Sequence, residues 1–169
     1  MHNDRPSFYW RLGGTGGAAA DSSGNANPGV YGSTIIRGVR GAVTGTADTA
    51  ISTPGNSAGI VSAAYSSSSP PVFSTELWFK TASTSGGKLI GFGNMQVGGS
   101  TNYDKHIYMG NDGRLRFGVY SRGAIAITTP DAYNDNAWHH VVAVQDAAVP
   151  SCTSTARWPS GARPPRINI

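Results

Sequence analysis

The chain has 169 residues, of which only 13% are charged, against about 25% in an ordinary soluble domain; Gly, Ser, Thr and Asn fill the gap, as expected for many short strands joined by turns. The length is that of one domain able to bury a sizeable core. Residues 1–146 hold 10 Lys+Arg against 9 Asp+Glu, a net of +1 within the total of +4, so the body lacks the basic stripe of a nucleic-acid binder.

Cys152 is the only cysteine, which excludes a disulfide framework and a thiolate metal site. Met1 to Pro6 has neither a basic n-region nor an apolar h-region, and no apolar run is long enough to span a bilayer. No export signal and no membrane insertion are expected, and the chain as written is expected to be soluble.

In chain order, Ser7–Leu12 is predicted as a first strand, ended by the glycine-rich turn Gly13–Gly17. That turn lacks the Gly-Lys-Ser/Thr ending of a phosphate loop, and no amphipathic helix follows it. Asp21–Gly29 is turn chemistry, Gly29–Ile36 a short strand, and Thr44–Ser52 a weakly apolar alternating segment. Gly59–Ser66 precedes a Ser-Ser-Ser-Ser-Pro-Pro break. Phe73–Thr81 is the clearest strand, with Phe73, Thr75, Leu77 and Phe79 on one face and Glu76 and Trp78 on the other. Gly87–Met95 pairs with it across the Ser83–Gly86 turn. Lys105–Met109 and Arg114–Tyr120 flank Gly110-Asn111-Asp112-Gly113, a tight-hairpin signal. Ala124–Thr128 is another strand. The polar run Ala132–Ala137 then feeds Trp138–Gln145, whose residues alternate Trp138, His140, Val142, Val144 against His139, Val141, Ala143, Gln145. No helix is predicted, and this many short strands means a sandwich or barrel.

A turn followed by Trp138-His139-His140-Val141 resembles the signature of laminin-G-like domains in the concanavalin-A-like lectin/glucanase superfamily. Phe73-Ser-Thr-Glu-Leu-Trp-Phe79 is similar to the family's Phe-x-x-x-x-Trp strand, and Tyr9-Trp10-Arg11-Leu12 with Ala20-Asp21-Ser22-Ser23-Gly24-Asn25 to its opening. The resemblance runs from about Ser7 to Gln145. It implies an all-β, two-sheet antiparallel jelly-roll sandwich over residues 1–146, incomplete at its C-terminus. It also implies a module of a larger extracellular or cell-surface protein, whose rim loops contact a glycan or a protein ligand.

The same superfamily contains glucanases, whose chemistry needs two carboxylates in one cleft. Glu76 is the only glutamate, the family's Glu-x-Asp-x-Glu strand is absent, and the eight aspartates lie mostly in turns, so no enzyme is expected. His139 and His140 are strand neighbours pointing to opposite faces and cannot chelate one ion; His140 is expected in or near the core beside Trp138. No cofactor is expected. Calcium at a loop rim is the one metal option, with oxygen ligands in Thr101-Asn102-Tyr103-Asp104 or at Asp21 and Asn25, but Asn and Asp are also the standard turn formers. Tyr103, Tyr108, Tyr120 and Tyr133 are the candidates for a sugar-stacking surface or, equally, for strand packing. Tyr103 is the best candidate for exposure, because Gly, Ser, Asn and Asp surround it. The Gln96–Asp104 loop is therefore the first candidate site, with Asn102, Tyr103 and Asp104 as ligand-binding residues. Trp78 and Trp138 are expected to be structural. A structural or spacer module without a ligand of its own is the first rival reading, and a degenerate glucanase, a glycoside hydrolase relative, the second.

From about Ala147 the chain is crowded with Arg and Pro and shows no apolar periodicity, so residues 147–169 are expected to form a disordered tail and no strand. The family usually returns here through a strand like Leu-Tyr-Val-Asp-Gly. Back-translating Val149–Arg157 and regrouping each codon's last base with the next two is compatible with Ala-Glu-Leu-Tyr-Val-Asp-Gly-Ala, which points to a shifted reading frame. Loss of the later strands would expose an apolar face and unpaired edges.

Overall fold

The computed structural model describes residues 4–120, 123–146 and 150–155. Every regular element among them is a strand or an isolated bridge, apart from local turns. The chain divides into two compact units, one of residues up to Ser66 with Met95–Ser100, the other of Ser67–Asn94 with the residues from Thr101 onward.

The first unit contains β1 (Ala18–Ala19), β2 (Gly29–Tyr31) and β5 (Val61–Ser62) in one antiparallel sheet, and β3 (Ile36–Arg40) with β4 (Thr49–Ser52) as a hairpin. The predicted strand at Ser7–Leu12 does not form; only Trp10 bridges to Asp21. Its backbone is claimed by side chains instead. The Asp21 carboxylate accepts hydrogen bonds from Tyr9 N at 2.8 Å, Ser23 N at 2.9 Å, Ser23 Oγ at 2.7 Å and Asn27 N at 2.9 Å. Trp10 Nε1 donates to the Asn27 carbonyl at 2.8 Å, and the Trp10 ring stacks on Phe8. Gly29 is needed for this approach, since a Cβ there would lie 2.9 Å from Val61 Cγ1 and 3.2 Å from Trp10 Cε2. β1 and β3 were not foreseen: β1 is two residues long, and β3 has no buried alternate residue to betray its period.

The second unit is a sandwich of two antiparallel sheets. One has the order β10 (Ala124–Ala132), β9 (Arg114–Tyr120), β8 (Tyr103–Met109), β7 (Gly87–Gly93), and the other β12 (Pro150–Thr155), β11 (Trp138–Gln145), β6 (Phe73–Lys80). Phe79 of β6, Ile107 and Met109 of β8, Leu115, Phe117 and Val119 of β9, and Val141 and Ala143 of β11 form one buried cluster between them. These are alternate residues of strands with period two, which is how two half-apolar sheets make one core. The Gly110–Gly113 hairpin closes as predicted, with Gly113 at φ +75° and its N–H donating to Gly110 O at 3.0 Å. Pro130 sits in the edge strand β10, where the register shifts between Thr128 and Ala132, and the buried Thr129 hydroxyl takes the Leu115 N–H at 3.0 Å.

Gly87–Gly93 does not pair with Phe73–Lys80 across the Ser83–Gly86 turn: β6 pairs with β11 and β7 with β8, so that turn passes the chain from one sheet to the other. Two further expectations are corrected. Pro150–Thr155 does form a strand, antiparallel to β11, with Cys152 opposite Ala143. β11 is paired with β6 on one side, and its other edge offers a row of backbone donors and acceptors that a partner can satisfy whatever its side-chain pattern; the absence of apolar alternation in Ser-Cys-Thr-Ser-Thr was therefore no bar. The remainder of the expected tail, residues 147–149 and 156–169, lies outside the described residues. The second correction concerns the histidines. His139 is the core residue at 4% exposed, packed between Phe79 and Tyr133, whereas His140 lies on the outer face, stacked on Trp78 at 4.9 Å.

Candidate functional site

The His-His pair diverges as its strand parity requires. His139 Nε2 lies 2.8 Å from Asp135 Oδ1, and since an ionised carboxylate only accepts, Nε2 carries the proton. Asp135 also accepts the Ala137 N–H at 2.9 Å, so one side chain shapes the turn before β11 and anchors the buried imidazole. His140 Nε2 is 3.3 Å from Glu76 Oε2. Trp78, Trp138 and Glu76 share this outer face, so the two indoles are half-buried rather than part of the core between the sheets. Four of the eight aspartates are likewise structural: Asp48 pairs with Arg11, Asp112 with Arg116, and Asp21 and Asp135 hold turns.

The expected loop Gln96–Asp104 is divided between the units, with Met95–Ser100 in the first and Thr101 onward in the second. In the second unit, Asn94 Oδ1 accepts the N–H groups of Thr101 and Asn102 at 3.0 and 3.1 Å, and Asn94 Nδ2 donates to Thr101 Oγ1 at 3.0 Å. This side-chain clamp delivers the chain into β8, which begins at Tyr103, two residues earlier than predicted. Tyr103 is 56% exposed and Asn102 is exposed. Asp104 is engaged: its Oδ1 accepts Tyr120 N at 2.7 Å and Lys105 N at 2.8 Å, and its Oδ2 lies 3.6 Å from Lys105 Nζ. The three residues are thus adjacent but differ in role, with Tyr103 and Asn102 presented to solvent and Asp104 holding β8 to β9.

Lys105 turns inward, 4% exposed, at a left-handed φ of +50° where the β7–β8 register shifts. Its ammonium is 3.1 Å from Gln145 Oε1 and sits over the Phe73 ring at 4.8 Å, so the buried charge keeps partners on three sides. The shift lets Lys105, Ile107 and Met109 face the core while His106 and Tyr108 face out.

On that outer face the rings of Tyr103 and His106 meet edge-on at 6.0 Å, and His106 and Tyr108 lie 5.0 Å apart, tilted by 39°. Tyr120, 69% exposed, emerges beside Asp104 from β9. Tyr133 instead packs against the core cluster and leaves the stacking set. His106 was missed in the sequence, although two strand glycines flanking it in space, Gly91 and Gly118, were a signal that a ring needed their room. Burial first, then the charge of Lys88, pushes its imidazole below its ordinary value, so it is neutral at neutral pH.

Neither calcium option fits its donor set. The Asp21 oxygens face four N–H and O–H donors, and the Asp104 oxygens two N–H groups and an ammonium, so both carboxylates are turned to positive charge already supplied by the protein. Among the described residues no three His, Cys, Asp or Glu side chains gather as a metal site.

The two-sheet sandwich, the Phe-x-x-x-x-Trp strand β6 and the Trp-His-His-Val strand β11 paired in register converge on one family. A laminin-G-like family model, described as concanavalin A-like lectin/glucanases superfamily, matches residues 47–154, more than half of the chain. The chain belongs to that family. Comparison with curated proteins and with solved structures gives no match. The laminin-G-like match runs into β12 as far as Ser154, which places nearly all of that strand within the family's own span. Among the described residues no helix is long and apolar enough to cross a membrane.

Proposed function

We propose that this laminin-G-like chain is a non-catalytic binding module of an extracellular or cell-surface protein, and that its ligand is a glycan held at the tyrosine end of the four-stranded sheet. The observation that carries this reading is the exposure of both Tyr103 and Tyr120, 56% and 69%, at one end of β8 and β9, where the Asp104 carboxylate ties the two strands together. Two large rings held in water by a rigid sheet present an apolar face with a hydroxyl at its tip, which suits a sugar ring edged with hydroxyls. The loop clamped by Asn94 adds the exposed amide of Asn102 beside them.

The absence of catalysis is part of the proposal. Glu76 faces His140 on the other sheet, and five of the eight aspartates have structural partners, which leaves no pair of carboxylates assembled for acid and base roles among those placed above. A glycan array probed with the wild-type chain and with Tyr103→Ala/Tyr120→Ala tests the binding reading: signal retained by the double variant contradicts the site, and no signal from either favours the spacer reading. Release of reducing ends from mixed β-glucans contradicts the non-catalytic reading.

A further inference from the structure

We propose that the glycan site extends along the outer face of the four-stranded sheet into a subsite for an acidic sugar, with His106 as floor, Tyr103 and Tyr108 as walls, and Lys88 as the counter-charge. This rests on the glycan-binding reading and names its ligand class.

The floor comes from two missing side chains. A Cβ at Gly118 would lie 3.0 Å from His106 Nε2 and 3.2 Å from its Cε1, so the imidazole lies over the β9 backbone in the space that any other residue would fill. On the β7 side, a Cβ at Gly91 would collide with the His106 Cβ. The two strand neighbours of His106 therefore offer no side chains, and the ring is laid down on the sheet between Tyr103, nearly perpendicular to it at 81°, and Tyr108. A flat neutral ring bordered by an upright one matches the slab shape of a pyranose, whose C–H face packs on an aromatic surface.

The charge comes from the register. Lys88 on β7 and Arg116 on β9 are the cross-strand partners of Tyr108 on either side, so the three form one row across the face. Arg116 is held by Asp112 through two hydrogen bonds at 3.0 and 2.8 Å, whereas Lys88 is exposed and has no ion pair among the described residues. The positive field of Lys88 reaches His106, opposed by the smaller negative field of Asp104. Arg114, exposed two residues before Arg116, adds a second cation on the same strand face. Toward the other end, Asp104 is engaged by Lys105 at 3.6 Å and by the N–H groups of Lys105 and Tyr120. A carboxylate on a sugar seated over His106 and Tyr108 therefore meets an unpaired ammonium and no competing free anion in that row.

The test is titration calorimetry of the full chain at low ionic strength with galacturonate, mannuronate and glucuronate oligosaccharides, each beside its methyl ester, which keeps the ring and removes the charge. At least one acid is expected to bind about tenfold or more tighter than its ester. Lys88→Glu, at an exposed position that leaves folding intact, is expected to abolish that difference, and Tyr108→Ala to weaken acid and ester alike. Equal binding of acid and ester, no effect of Lys88→Glu, or no binding by any of the acids overturns the subsite. If Tyr103→Ala removes binding while Lys88→Glu does not, the glycan reading stands and the acidic subsite falls; if no glycan binds the array or the calorimeter, both fall.

Discussion

The two faces of β8 do different work with the same seven residues. Inward, Ile107 is fully buried, Met109 nearly so, and even Lys105 is drawn into the core between Gln145 and Phe73. Outward, Tyr103, His106 and Tyr108 form a run of rings that touch each other and water and close no core. On the proposed reading the strand's period of two separates stability from recognition, so substitutions on one face should report on folding and those on the other on binding. Asp104 is the residue that joins them, since it lies at the proposed ligand end and ties β8 to β9.

The largest effect is expected inside. Ile107→Ala removes a side chain with no solvent exposure from the centre of the cluster and should cost about 2–5 kcal/mol, read as a lower midpoint in chemical denaturation with an unchanged slope. Asp104→Ala should cost about 1–3 kcal/mol, because the Tyr120 N–H and the Lys105 ammonium lose a partner. A variant with unaltered stability would return Asp104 to the recognition face. Trp138→Ala should fall below a core truncation, at about 1–2 kcal/mol, since its indole is half-buried on the outside of β11. A larger loss would show that this face is as closely packed as the core.

Acid titration separates the units in the same spirit. Burial raises the Asp21 carboxyl, but the hydrogen bonds from Tyr9, Asn27 and Ser23 outweigh it and hold its pKa at about 2, below the ordinary 3.8. The unfolded chain takes up the proton first, so the contribution of Asp21 is full above about pH 4 and fades as pH falls toward 2. Thermal melts of Asp21→Asn should lose that part of the acid dependence; a parallel decline in wild type and variant would contradict it. Smallest of all, Tyr103→Ala should change stability by no more than about 0.5 kcal/mol while reducing glycan capture.

Much of this was legible in the sequence, for identifiable reasons. β6 and β11 announced themselves because their inner faces are largely apolar and their flanks are short-range turn chemistry, Ser, Pro and Gly around β6 and Asn and Asp before β11. The opening segment was misjudged as a strand because its structure is set by one carboxylate twelve residues away, a contact that no periodicity encodes. β12 was missed because a ladder on an open edge is made by backbone groups, which are the same in every sequence. Tyr103 was identified from its polar neighbours, whereas His106 and Lys88 were not, because their meaning comes from cross-strand register with Gly118 and Tyr108.

The central claim is that ligand sits on the outward side of β8. Chemical-shift mapping of the labelled chain with a bound acidic oligosaccharide tests it most directly. Perturbations are expected at Tyr103, His106, Tyr108, Tyr120 and Lys88, with Ile107 and Val141 unmoved; perturbations centred on Trp78, Glu76 and His140 of the opposite sheet would contradict it.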